Sequence, residues 1–245
     1  MSNIIEIKHL SFSYNKEKIL NNINLEIKKG EFIGIMGPTG CGKSTFAFCL
    51  NGIIPQSIQG KFEGEVLIDG KNTKKFRVAE ISQKVGLVFQ DPDSQLFTLN
   101  VKDELAFGLE NQGLRKKEIE FKVNQALKWI GIYHLKNRQT HTLSFGQKQK
   151  VCLASVLALD PEILVLDEPT AQLDYKDTQE VYHILKRINE KEKTIVIIEH
   201  KSKWLAKYAS RILILNNGKF ELNGNPKYIF NQKEYLEKVG IEIPN

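Results

Sequence analysis

Short apolar runs broken by turns that contain Gly, Asn or Asp open this chain and read as strands. Ile5, Ile7 and Leu10–Phe12 alternate loosely, whereas Ile23, Leu25 and Ile27 alternate strictly before a Lys28-Lys29-Gly30 turn. Phe32–Met36 is nearly all apolar, the pattern of a strand buried on both faces. A helix is expected from Lys43 to Leu50. Val66–Ile68 with Asp69-Gly70, and Val85–Phe89, are expected to add strands around a turn. From Pro92 to Leu159 the spacing changes to three and four, through Val101, Leu105 and Leu109, then Ile119, Val123, Ala126, Leu127 and Ile130, then Val151, Ala154 and Leu157. Strand patterns return at Ile163–Leu166, Thr194–Ile198 and Ile212–Leu215, the last before an Asn217-Gly218 turn. A helix over Lys176–Asn189 separates the first two, and the tail reads as two short helices, Lys227–Asn231 and Lys233–Val239. The whole is an α/β core with an all-helical insertion and antiparallel strands at the front.

Composition narrows this only slightly. A chain of 245 residues suits one domain with subdivisions, and 41% hydrophobic with 26% charged residues places it among soluble globular proteins. Its longest apolar runs fall far short of the roughly 18 residues a membrane-spanning helix needs, and no apolar leader is visible, so a cytoplasmic protein is expected. Three cysteines without metal-ligand spacing fit a reducing compartment. The net charge of +6 comes from scattered lysines (Lys16, Lys18, Lys28, Lys29, Lys116, Lys117, Lys191, Lys193) that usually have acids nearby. That is a solvated surface more than a nucleic-acid or membrane footprint.

Candidate chemistry sits where these elements end. Gly37, Pro38, Thr39, Gly40, Cys41, Gly42, Lys43 and Ser44 satisfy G-x-x-x-x-G-K-[ST] between a buried strand and a helix. Its glycines let successive N–H groups curl round phosphate oxygens, and the helix start adds positive partial charge. In that pattern Lys43 reaches the β- and γ-phosphates and Ser44 ligates Mg²⁺. Cys41 reads either as a small residue or as an oxidation sensor. Ile163–Leu166 delivers Asp167 and Glu168 to a strand end, where open α/β sheets bind ligands. Beside a phosphate loop, Asp167 is expected to hold Mg²⁺ through its water shell and Glu168 to accept a proton from the attacking water. Gln90 and His200 each follow a strand, and each is also compatible with a plain loop residue. Tyr14 is either a strand aromatic or a stacking partner for adenine. Ser144 and Gln147, flanking Gly146, form a capping-box pattern whose helix start suits a γ-phosphate. This segment belongs to the helical insertion and is expected to project away from the chain's own phosphate loop. Two copies head to tail would then set each helix start over the other's nucleotide.

On these residues the chain resembles, over essentially its whole length, the ATP-binding subunits of ABC transporters. The matching parts are Walker A (Gly37–Ser44), the Q-loop (Gln90), the signature segment (Leu143–Gln147), Walker B (Ile163–Asp167) with Glu168, the D-loop (Ala171–Asp174) and the switch His200. The resemblance implies an α/β fold: a P-loop NTPase (RecA-like) core with an antiparallel β subdomain and an inserted α-helical subdomain. It implies an ATPase unit over residues 1–225, with the helical subdomain near 92–159, and a helical extension over 226–245. ATP and Mg²⁺ are the implied cofactors. Lys43, Gln90, Glu168 and His200 are the implied catalytic set, with Ser44, Gln90 and Asp167 at the metal. Tyr14, Thr45 and Asp174 join the nucleotide set, and Ser144, Gly146 and Gln147 act on the nucleotide of a partner.

A narrower stretch, Phe89-Gln90-Asp91-Pro92-Asp93-Ser94-Gln95-Leu96-Phe97, is similar to the Q-loop of energy-coupling-factor (ECF) transporter ATPases, as is the tail from Gly224 to Gly240. That group implies a second ATPase subunit in a homo- or heterodimer, an integral membrane coupling subunit and a separate membrane substrate-binding subunit. It also implies a place on the cytoplasmic side of the cell membrane and no nucleic-acid partner. One departure is Phe145, where the family usually has glycine. A side chain there restricts backbone angles that glycine permits, which predicts an impaired partner site and an asymmetric pair. The D-loop and Glu199-His200-Lys201 also vary from common forms, and these changes are expected to leave roles intact. The alternative, a soluble ABC ATPase acting on nucleic acid or ribosomes, calls for a long coiled-coil insertion or tandem ATPase halves, and the sequence reads as neither. A P-loop kinase leaves the signature segment unexplained.

Overall fold

In the computed structural model, which describes residues 2–244, the front of the chain forms β1 (Asn3–Tyr14), β2 (Glu17–Lys28) and β3 (Phe32–Met36). Helix α1 (Lys43–Leu50) and the single turn α2 (Ile53–Gln56) lead into β4 (Lys61–Ile68) and β5 (Lys71–Asn72). A short α3 (Val78–Ile81) and β6 (Val85–Val88) precede three helices, α4 (Val101–Asn111), α5 (Lys116–Ile130) and α6 (Phe145–Ala158). The chain then runs through β7 (Ile163–Asp167), α7 (Tyr175–Asn189), β8 (Thr194–Ile198), α8 (Ser202–Tyr208), β9 (Arg211–Asn216) and β10 (Lys219–Gly224). It ends in α9 (Pro226–Phe230) and α10 (Lys233–Lys238).

Two sheets result. One is antiparallel in the order β2-β1-β4-β5; the other runs β10-β9-β3-β8-β7-β6, parallel except for the β9–β10 hairpin. Every residue of β3, β7 and β8 is buried. Their period of two divides the side chains between two cores. Phe32, Met36, Leu164, Leu166, Ile195 and Ile197 share one core with α4 to α8, while Ile33, Ile35, Val165, Val196 and Ile198 share the other with α1 and the antiparallel sheet. A sheet covered on both faces is what near-continuous apolar strands require.

The expected elements are present, with differences that have physical reasons. The Asp69-Gly70 turn closes β4 onto β5, whereas Val85–Val88 lies in the other sheet, parallel to β7. Both turn residues have positive φ (+48° and +74°), as do Asn217 (+47°) and Gly218 (+72°), so each turn closes only its own hairpin. Helix α6 starts at Phe145, directly after the Ser144 cap that the capping-box pattern marks and six residues ahead of Val151, where its apolar spacing begins. Strand β10 and helix α8 have no counterpart among the sequence expectations: one alternates only between half-buried and exposed residues, the other is under two turns long. The tail helices fall within a residue of expectation and bury Ile229, Phe230 and Leu236 in the helical core. Among the described residues no helix is long and apolar enough to cross a membrane.

Gly86, in the middle of β6, sets the distance between the sheet and α6. A Cβ there would lie 2.2 Å from Val156 Cγ1 and 3.0 Å from Pro161 Cγ. Gly86→Ala is expected to destabilise the fold by about 1–3 kcal/mol through overpacking. Adding Val156→Ala should recover part of that loss, as measured by denaturant midpoints in a double-mutant cycle.

Candidate active site

The phosphate-loop segment joins β3 to α1. Gly42 takes φ +107° as the helix begins, a conformation that costs an L-residue dearly, and no side chain caps the helix start. The first N–H groups of α1 are therefore left for the loop or for an anion. Lys43 is buried, and its Nζ donates to the carbonyls of Gly37 and Pro38, each at 3.0 Å. Thr39 and Gly40 form the exposed tip, and Thr45 is buried in the first helical turn. Burial raises the Cys41 thiol more than the Lys43 charge lowers it, so Cys41 stays protonated and fits the small-residue reading. Gly42 packs against Ile19 and Leu20 of β2, which brings the β1–β2 hairpin alongside the loop. Tyr14 sits in that hairpin, half-buried and edge-on to Phe12 at 4.8 Å between ring centres.

Opposite this loop, β7 ends in Asp167, which is 6% exposed and has an Oδ1 with no hydrogen-bond partner. Burial pushes its pKa up, and the Ser44 hydroxyl works in the other direction. Glu168 follows with φ +47°, its N–H donating to Ile198 O at 3.0 Å. Both of its carboxylate oxygens are engaged. Oε2 accepts from Gln90 Nε2 at 2.9 Å, and Oε1 lies 2.8 Å from His200 Nε2. The His200 hydrogen bond is the main reason that the Glu168 pKa is held below its ordinary value, against the opposing pull of burial. The ends of β3, β6, β7 and β8 thus bring Lys43, Ser44, Gln90, Asp167, Glu168 and His200 together.

Ser144, Gly146, Gln147 and Asp174 are not part of that group. Ser144 Oγ accepts from Gln147 N at 3.3 Å and Gln147 Oε1 accepts from Ser144 N at 3.1 Å, a complete capping box on α6. Asp174 caps α7 by accepting from Asp177 N at 2.7 Å. Lys150 pins the two helix starts by bonding Asp177 at 3.0 Å and also Glu180. At Gly146 a Cβ would come within 2.6 Å of Asp177 Oδ2, so this glycine permits the close approach. Among the described residues no hydrogen bond joins this second cluster to Gly37–Ser44.

Phe145 does not behave as its sequence position suggested. It is the first residue of α6, outside the positive-φ region, with a half-buried ring packed on the helical core. Right-handed backbone suits any L-residue, so the backbone argument for an impaired partner site does not hold. Three further side chains, none given a role in the sequence reading, tie the Q-loop down. Lys148 bonds Asp93 at 2.5 Å, buried Gln149 donates to Phe89 O at 3.4 Å, and Gln95 accepts from Phe89 N at 3.0 Å while donating to Leu87 O at 3.4 Å. Only the polar Lys148-Gln149 pair inside an apolar helix hinted at them.

A family model described as ABC transporter matches residues 20–171. A protein of Pyrococcus abyssi with the provisional name ABC transporter ATP-binding protein is 46% identical over 99% of this chain and 88% of its own length. Among solved structures, CbiO1 of Clostridium perfringens, part of the ABC transporter complex CbiONQ, is 37% identical with a TM-score of 0.84, over 99% of this chain and 96% of its own. The chain belongs to the ABC transporter ATP-binding family. It has the ABC ATPase fold, binds ATP and hydrolyses it as a transporter subunit. An ABC cassette solved as a dimer in a post-hydrolysis state with ADP and Pi is 29% identical, with a TM-score of 0.79 over 91% of this chain and 98% of its own. YkoD of Bacillus subtilis, provisionally named an HMP/thiamine import ATP-binding protein, is 42% identical over 98% of this chain, which spans 45% of YkoD.

The raised pKa of Asp167 has a consequence for stability. A folded-state pKa above the unfolded value means that its contribution is full below the unfolded carboxylate range and is lost as pH rises through the folded value. Asp167→Asn should therefore stabilise the nucleotide-free ABC ATPase at neutral pH, on the order of 1 kcal/mol. Thermal unfolding from acid to neutral pH checks this: the gain should shrink toward acid pH.

Proposed function

We propose that this chain is the ATPase of an ECF-type importer, acting as one of two ATPase subunits that complete each other's nucleotide sites on the cytoplasmic side of the cell membrane. The observation that carries the catalytic part is the Glu168 carboxylate held from both sides by Gln90 and His200, one residue from Asp167. A carboxylate kept ionised and fixed in direction can orient a water and accept its proton. In this reading Lys43 leaves its loop carbonyls for the β- and γ-phosphates, whose other oxygens take the first N–H groups of α1. Tyr14, from the neighbouring hairpin, covers the adenine.

The donor set fits Mg²⁺. Among the described residues no group of three His, Cys, Asp or Glu side chains could hold a metal unaided. One buried carboxylate with an unpartnered oxygen, Asp167, beside the Ser44 hydroxyl is instead the sparse protein share of a site completed by phosphates and water. When bound, the ion would neutralise charge on the β- and γ-oxygens, with Ser44, Asp167 and Gln90 holding it.

Pairing in trans is supported by the separation of the Ser144–Gln147 and Asp174 cluster from the chain's own phosphate loop, and by the dimeric state of the related cassette. The ECF assignment draws on the likeness to CbiO1 and YkoD. A membrane coupling subunit, working with a separate substrate-binding subunit, has a docking place in the exposed apolar side chains of Phe97, Leu99, Phe107 and Phe121. They lie after the Q-loop and on α4 and α5, and Phe97 and Phe107 meet edge to face at 4.5 Å. In this assignment residues 1–225 form the ATPase unit, with the helical subdomain inserted at about 92–159 and the tail as an extension.

The test is Glu168→Gln. Turnover by complexes pulled from detergent-extracted membranes should fall by a factor of about 100 or more, while ATP and Mg²⁺ trap stable dimers with nucleotide bound. Full turnover by this variant would remove Glu168 from the role.

A further inference from the structure

The two segments that depart from common family forms, Ala171–Asp174 and Glu199-His200-Lys201, are joined to each other by side chains. Glu199 is 1% exposed, which is unusual for a carboxylate outside the catalytic group. Its Oε2 accepts from the buried Thr170 hydroxyl, and its Oε1 accepts from the backbone N–H groups of His200 at 2.9 Å and Lys201 at 3.2 Å. One carboxylate therefore shapes the turn that presents His200 and anchors it to the segment after Glu168. Lys201 makes the return connection. Its Nζ donates to Thr170 O at 2.7 Å, Leu173 O at 3.0 Å and Thr178 Oγ1 at 3.0 Å, which uses all three ammonium donors. Thr170 O also accepts from Leu173 N, so the ammonium closes the turn that delivers Asp174 to the start of α7.

We propose that Glu199 and Lys201 are positioning residues that lock the segment carrying His200 to the Thr170–Asp174 turn, so that both move as one piece between this chain's catalytic cluster and the face it offers to a second ATPase copy. The inference rests on the reading of Glu168, His200 and Asp174 given above, and it deepens that reading by naming the mechanical link. Burial pulls the Lys201 pKa down, so holding an ammonium here has a cost that mere filling of space would avoid. A methionine would occupy much the same volume without the charge, but it would take one donor from each of the two turn carbonyls and the donor from Thr178 Oγ1.

A rigid link of this kind acts on the step in which both segments must be aligned, and leaves ATP capture by the phosphate loop alone. The experiment measures ATP turnover by the full chain with the subunits that co-purify with it, alongside binding of a fluorescent ATP analogue and thermal unfolding. Lys201→Met is expected to lower kcat about tenfold, with KM and analogue Kd near wild type and Tm lowered by a few degrees. Glu199→Gln keeps an acceptor for the two N–H groups and should lower kcat less. Thr178→Val removes one acceptor at constant volume and should give a smaller fall in kcat. It keeps the test open if Lys201→Met fails to fold. Unchanged kcat in Lys201→Met, or a fall matched by equal loss of analogue binding, overturns the proposal. If Lys201→Met turns over like wild type while Glu168→Gln is inactive, the link alone is overturned. Wild-type-like turnover by Glu168→Gln overturns the catalytic reading and the link with it.

Discussion

Burial on both faces is the constraint from which the rest follows. The strands β3, β6, β7 and β8 carry no charged side chain before the final residue of β7, because neither face of the sheet offers water to one. Every group able to do chemistry is forced out at the carboxyl edge, where parallel strands all point the same way. Lys43, Gln90, Asp167, Glu168 and His200 are neighbours for this reason, although they span much of the chain. The helices that cover one face and the antiparallel sheet that covers the other are needed first to make such a sheet possible, and only then to act.

The same constraint explains what could be read in advance. A run such as Ile163–Leu166 announces a buried strand, and residues directly after it inherit a place on the edge. Asp167, Glu168 and the phosphate loop were legible for that reason. The pairing of Glu168 with Gln90 and His200 was not, since it depends on the order β8-β7-β6, which no local pattern encodes. Ser144 and Gln147 were legible as a cap because a capping box is a local device. Their closeness to Asp174 depends on how α6 and α7 lie together, which Lys150 and the missing side chain of Gly146 decide. Phe145 misled because a family comparison suggested a glycine's freedom where the chain needs only ordinary helical backbone.

Glu168 is the point at which local preference yields to the fold. A non-glycine residue at φ +47° is held there by its N–H bond to Ile198 O and by partners on both carboxylate oxygens. Those partners, Gln90 and His200, engage Glu168 alone, while its neighbour Asp167 is buried with an unpartnered oxygen. Adjacent acids end up in opposite electrostatic settings, one held ionised by a hydrogen bond and the other pressed toward its neutral form.

Gln95 has a further consequence. By bonding the backbone of Leu87 and Phe89, its amide imitates one residue of an absent neighbouring strand on the otherwise open side of β6. At the far end, β10 turns antiparallel and forms the edge, with Lys219, Glu221 and Asn223 exposed. The amide cap on β6 and the exposed Lys219 and Glu221 on β10 both discourage self-association through continued strand pairing.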